Sequence, residues 1–232
     1  MTLRHLLHAA LSLLALATLT SRSNAQDTRP VSCRLICIDG ATPPGPLLHG
    51  ATRETEITVE VPTDNLSAPV ACAARNHTIQ FLAKDSRKPV ANATIPPTAR
   101  HAVLLFLPAK PTDSLPWQIF VIEDNPRNFP DGGGFVANFY QHDIRFVIGE
   151  HKIQLRPAKS THFAQPTQRD DFNMAPVVFQ FQQGDSWRTA SESLVRFIPG
   201  VRFLLVAYVD PASGRPKIAT YQDLTPPPAA KP

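Results

Sequence analysis

The sequence predicts an all-β fold: an antiparallel β-sandwich, immunoglobulin-like in general shape, that follows a cleaved signal peptide. Three observations carry this expectation. Proline outnumbers glycine by 24 to 10, and because proline breaks helices and central strands, the elements must be short and joined by rigid loops. Runs rich in β-branched and aromatic residues recur between clusters of Pro, Asp, Asn and Gly. No long helical periodicity runs through the chain beyond its first 25 residues.

Those first residues predict export. Arg4 gives a positive start, an apolar run extends from Ala9 to Leu19, and Ser23-Asn24-Ala25 puts small residues at the −3 and −1 positions before Gln26. An apolar run this short falls well below the ~20 residues that span a bilayer. The segment 1–25 therefore reads as a signal peptide, and the expected location is periplasmic or extracellular. No later segment is apolar enough over that length to be a transmembrane helix.

Of the 232 residues, about 207 remain after cleavage, ample for a core in one large or two small domains. The net charge of +4 falls to about +2, because the leader carries Arg4 and Arg22 and no acids. The longest basic cluster is Arg87-Lys88, which is no footprint for nucleic acid. An exported chain meets an oxidising compartment, so Cys33, Cys37 and Cys72 are disulfide candidates. In an extended strand Cys33 and Cys37 would lie ~13 Å apart, beyond the ~7 Å that a disulfide can bridge. One of them paired with Cys72 is the favoured reading. A bent segment closing Cys33 on Cys37 is the alternative.

Along the chain, Val31–Ile38 reads as a strand with Cys33, Leu35 and Cys37 on one face and Arg34 on the other. Pro43–Pro46 is a loop. Glu56–Val61 alternates, with Ile57, Val59 and Val61 inward. Val70–Ala74 and His77–Leu82 follow around a turn at Arg75-Asn76. His101–Leu107, Trp117–Ile122 and Val201–Val209 are apolar on both faces and are expected to be central strands covered on both sides or core strands of a sandwich. In Ile144–Leu155 a turn at Gly149-Glu150 pairs Phe146 with Ile153 and Ile144 with Leu155 inward, and Arg145 with Gln154 on the opposite, wet face. Val201–Val209 joins Lys217–Tyr221 through a turn at Asp210–Gly214. Phe106, Trp117, Phe120, Phe146, Ile153, Phe179, Phe203 and Leu205 are the expected core. One continuous sandwich over 26–224 is expected, with two smaller β domains divided near 108–116 as the alternative. Residues 225–232 read as a disordered Pro-rich tail.

Motifs for chemistry are sparse. Asp131-Gly132-Gly133-Gly134 precedes a strand rather than a helix, so it reads as a turn and not a phosphate loop. The six histidines beyond the leader show no metal-ligand spacing, and no metal or other cofactor is expected. No Gly-x-Ser-x-Gly elbow is present, and no catalytic residue is assigned. The stretch between Pro157 and Pro176 lacks periodicity and is long for a loop. It reads either as a plain connection with anchoring aromatics or as a binding loop, with His162, Phe163, Arg169, Asp170, Asp171 and Phe172 as the candidate binding residues.

The runs FPDGGGFVANFYQHDIRFVIGEHKIQL and VRFLLVAYVDPASGRPKIATYQDL, within Phe129–Leu224, resemble uncharacterised secreted β-rich proteins of planctomycete and verrucomicrobial bacteria. The resemblance implies export and a β fold and carries no activity or site residue. The functional expectation is an exported, non-catalytic module of the cell envelope that binds a protein, glycan or surface partner. The alternative is a secreted hydrolase with dispersed residues in the 157–176 loop, drawing on His162, Asp170 and Asp171.

Overall fold

The computed structural model describes residues 28–38, 40–50, 52–210 and 213–224. The predicted signal peptide, its cleavage site and the Pro-rich tail lie outside these residues. In chain order the strands are β1 (Thr28–Cys37), β2 (Leu47–His49), β3 (Ile57–Val59), β4 (Val70–Arg75), β5 (Thr78–Ala83), β6 (Pro89–Thr94), β7 (His101–Pro108) and β8 (Trp117–Glu123). They continue as β9 (Gly134–Asn138), β10 (Ile144–Ile148), β11 (His151–Leu155), β12 (Ser160–Phe163), β13 (Met174–Gln183), β14 (Ser186–Arg196), β15 (Arg202–Val209) and β16 (Pro216–Asp223). The described residues contain no α-helix, so the all-β expectation is met.

The two halves of this series share one topology. In the second half two four-stranded sheets, ordered β12-β9-β15-β16 and β11-β10-β13-β14, enclose a core. The first half repeats both orders as β4-β1-β7-β8 and β3-β2-β5-β6, joined into one folded sheet at the β4–β5 hairpin. That hairpin turns on Asn76 and His77, both at positive φ, one residue later than the sequence suggested. The sheets are not wholly antiparallel as expected. β1 runs parallel to β7, and β9 runs parallel to β15. In each half the chain crosses to the other sheet between these strands, and that crossover is what allows parallel neighbours.

Residues 109–116 are the loop of the β7–β8 hairpin. Strand pairing instead stops between Glu123 and Gly134. The expected core is accordingly split. Phe106 and Trp117 belong to the first half, and Phe146, Ile153, Phe179, Phe203 and Leu205 belong to the second. Phe120 belongs to a third cluster where the halves meet.

That junction explains two of the three doubly apolar runs; the third, Trp117–Ile122 in β8, lies on a sheet edge and is mostly half-buried. Leu104 and Phe106 of β7 face their own core, whereas Val103 and Leu105 face the other half. Phe203 and Leu205 of β15 do the same, with Leu204 and Val206 turned to the junction. The two most apolar stretches are thus equivalent strands, each covered on both faces. The 144–155 hairpin has the register read from the sequence, with Phe146 opposite Ile153 and Arg145 opposite Gln154. Its outer face is less wet than expected, because the Arg145 guanidinium lies 4.0 Å from the centre of the Trp187 ring. Ile57 is a correction: on the edge strand β3 it is 41% exposed, while Val59 and Val61 are buried.

The glycine cluster is a turn set by close packing. A Cβ on Gly133 would lie 2.2 Å from the Phe163 carbonyl oxygen, and one on Gly134 the same distance from that of Phe203. Only glycine lets β9 approach its neighbours so closely.

Candidate functional site: the junction between the two halves

The period-two alternation of four strands brings four charges to the junction. Arg34 shares the face of Ile36 on β1, and Arg202 shares that of Leu204 on β15. Asp124 follows β8, and Asp223 ends β16. The carboxylates occupy corresponding ends of equivalent strands in the two halves. All four residues are buried.

They form a closed ring of alternating charge. Arg34 donates to Asp223 at 2.6 Å and to Asp124 at 2.7 Å. Arg202 donates to Asp124 at 2.7 Å and to Asp223 at 2.5 Å, and its Nε adds a bond to Asp223 at 3.0 Å. Arg202 also donates to the Phe129 carbonyl at 3.1 Å and stacks on the Phe129 ring at 4.1 Å. Each carboxylate therefore bridges one arginine from each half. Burial alone would pull the Arg34 guanidinium's pKa down, but hydrogen bonds and charge from Asp223 and Asp124 outweigh it and leave the pKa above the ordinary arginine value. Two arginines and two aspartates thus face one another across the junction and tie the halves together.

Roughly 13–20 Å along the strands, from Arg34 to Ile38 and from Arg202 to Tyr208 at ~3.3 Å per residue, the same junction opens into a cleft of about 580 Å³. Ile38, Leu107, Phe139, Tyr208 and Val209 give it an apolar wall, and Lys110, Gln118 and Gln141 add polar groups. Phe139, which lines it, meets Phe120 of the other half edge to face at 5.1 Å. The volume of the cleft falls within the ~300–1,000 Å³ typical of ligand sites.

The candidate binding residues are spread over a strand and a turn. Part of the loop is β12, paired with β9, in which Phe163 is buried in the core and His162 points to solvent. Arg169 donates to the Phe197 carbonyl at 2.6 Å. The Asp170 carboxylate accepts from the backbone N–H groups of Phe172 and Met174 and closes a tight turn. Asp171 is exposed, and Phe172 is 75% exposed at the tip. Glu150, in the 144–155 turn, accepts from Thr167 and Gln168, and these bonds hold its carboxyl down at about 2. Within the loop Asp170 thus braces the loop's own backbone and Arg169 ties it to Phe197, while His162, Asp171 and Phe172 are exposed.

Among the described residues no three His, Cys, Asp or Glu side chains converge in a way that could hold a metal, and no helix is long and apolar enough to cross a membrane. Cys33, Cys37 and Cys72 are buried as free thiols. The sequence pattern places Arg34 opposite Cys33 and Leu35 but gives it no partner, and it singles out neither Arg202 nor Asp223. A lone charge inside a doubly apolar run, as in Val201-Arg202-Phe203, was the available signal.

His49 is a buried histidine with a structural task. Its Nδ1 donates to the Gln80 carbonyl at 2.9 Å, and its Nε2 accepts from the Ala73 N–H at 2.7 Å, so the ring is neutral. Burial lowers its pKa below the ordinary 6.5, against the opposing bond to Gln80. The unfolded chain then takes up the proton first. The contribution is complete above about pH 6.5 and is lost as pH falls toward the folded value. His49→Gln, which donates and accepts without titrating, should lose less stability than the wild type between pH 7.5 and 5.5. Urea melts at the two pH values check this, and equal losses would reject it.

No protein-family model matches the chain, and no curated protein matches it.

Proposed function

We propose that this chain is an exported, non-catalytic β-sandwich module of the cell envelope, immunoglobulin-like in general shape, which binds a protein, glycan or surface partner. The observation that carries this reading is the apolar cleft at the open end of the junction. Its walls come from both halves, and the buried charge ring holds those halves in one arrangement, so the cleft is pre-formed. Pre-formed apolar pockets with a few polar groups are what binding sites require. The leader pattern and the resemblance to secreted β-rich proteins support export. The hydrolase alternative gains nothing from its loop, where Asp170 is engaged by backbone and His162 and Asp171 face solvent.

The test uses the full chain in a cell that exports it, with a benzophenone amino acid in place of Val209 at the cleft or of Thr189 on β14. Irradiation should give a discrete adduct from position 209 in the envelope or extracellular fraction and none from position 189. Equal labelling, or none at 209, overturns the binding reading. Mass spectrometry of the same material should find Gln26 as the first residue, and retention of residues 1–25 overturns the export reading independently.

A further inference from the structure

Cys33 on β1 and Cys72 on β4 face the same core, both essentially without solvent exposure. The register sets Val31 opposite Cys72 and Cys33 opposite Val70, so the two cysteines are diagonal neighbours on one face of an antiparallel pair. Diagonal neighbours in a flat ladder sit ~7–8 Å apart with their Cβ atoms closer, and the right-handed twist of a sheet shortens one diagonal. The proximity of the Cys72 thiol together with burial raises the Cys33 pKa. Cys37 has no such partner: burial pushes its thiol up to about 11, opposed only by a bond to the Ile38 backbone.

A second observation concerns access. A cavity of about 290 Å³ beside β4 is lined by Cys72 together with His49, Gly50, Ala71, Ala73 and Pro30. Cys33 is absent from that lining and belongs to the same core cluster as Cys72. Of the two cysteines, Cys72 alone borders the cavity.

We propose that Cys33 and Cys72 form a dithiol–disulfide site, with Cys72 as the entry thiol and Cys33 as the resolving thiol, while Cys37 stays reduced. The oxidant is a disulfide, either a small one such as glutathione disulfide or that of an oxidoreductase. The Cys72 thiolate attacks it, forming a mixed disulfide and releasing one thiol. The Cys33 thiolate then attacks the Cys72 sulfur and releases the second thiol. Two protein thiols and one external disulfide become one protein disulfide and two external thiols. The product staples β1 to β4 on the face opposite Arg34, so β1 is tied on one side by a covalent bond and on the other by the charge ring.

The site rests on side-chain placement, whereas its occupancy in a cell rests on the export reading, and the experiment separates the two. Purified full-length protein is refolded with reduced and oxidised glutathione, and the folded protein is also exposed to glutathione disulfide. Peptide mapping without reductant should show Cys33 linked to Cys72 and Cys37 free in both. Cys33→Ser should trap one glutathione on Cys72, Cys37→Ala should behave as wild type, and the oxidised protein should unfold at higher denaturant than the reduced one. A bridge that includes Cys37, trapped glutathione on Cys33 in a Cys72→Ser variant, or three free thiols after refolding overturns the site. If the site forms in vitro but protein taken from the producing cell is fully reduced, the export reading fails and the site stands.

Discussion

Arg202→Met should destabilise the protein by about 3–5 kcal/mol, the loss expected when one partner of a buried ion network is removed. Methionine retains much of the aliphatic bulk, so the effect reports charge rather than volume. The variant leaves Asp124 and Asp223 buried with Arg34 as their one shared cation, and it also removes the hydrogen bond to Phe129 and the stacking on its ring. The double variant Arg202→Met with Asp223→Leu removes one charge of each sign and leaves Arg34 paired with Asp124 at 2.7 Å. It should recover a large part of the loss, because a neutral apolar replacement avoids the stranded carboxylate. Denaturant melts of the three proteins decide it. A single variant costing under ~1 kcal/mol would mean that the ring is solvated and does not fix the junction.

Phe146→Ala should cost a similar ~3–5 kcal/mol, through lost burial and the cavity left behind. Phe146 has no solvent exposure, and its ring stacks on Phe179 with centroids 5.1 Å apart. The neighbouring Arg145→Ala removes the contact with Trp187 and should cost about 0.5–1 kcal/mol, the worth of an exposed cation–π pair. This is more than a wet face alone would give, yet well below the core variant. A one-residue slip of the hairpin would exchange the two results, because it turns every side chain to the other face.

Local pattern made the hairpin legible. Gly149 takes positive φ as a tight turn demands, and a single register gathers Ile144, Phe146, Ile153 and Leu155 on one side. The same reasoning faltered at β12, whose four residues sit among polar neighbours and gain their strand character from pairing with β9. It faltered also at β14, an edge strand exposed along nearly its whole length, so no buried face imposes an alternation. Of the candidate site, the doubly apolar strands were legible and the charge ring was not. Arg34, Asp124, Arg202 and Asp223 are separated by up to 189 residues in sequence, and nothing local marks one as the partner of another.

The sequence by itself determined the β class and the strands whose side chains alternate or are apolar throughout, because these follow from periods of two and from where proline and glycine fall. Tertiary structure alone decided that β1 and β9 each lie parallel to a late strand, that the two halves repeat one topology, and that Cys33 rather than Cys37 stands beside Cys72. It alone decided that the inward-turned arginines neutralise aspartates from both halves. The reason is physical: local pattern says which face of a strand leaves water, but only the packing of distant strands says what that face meets.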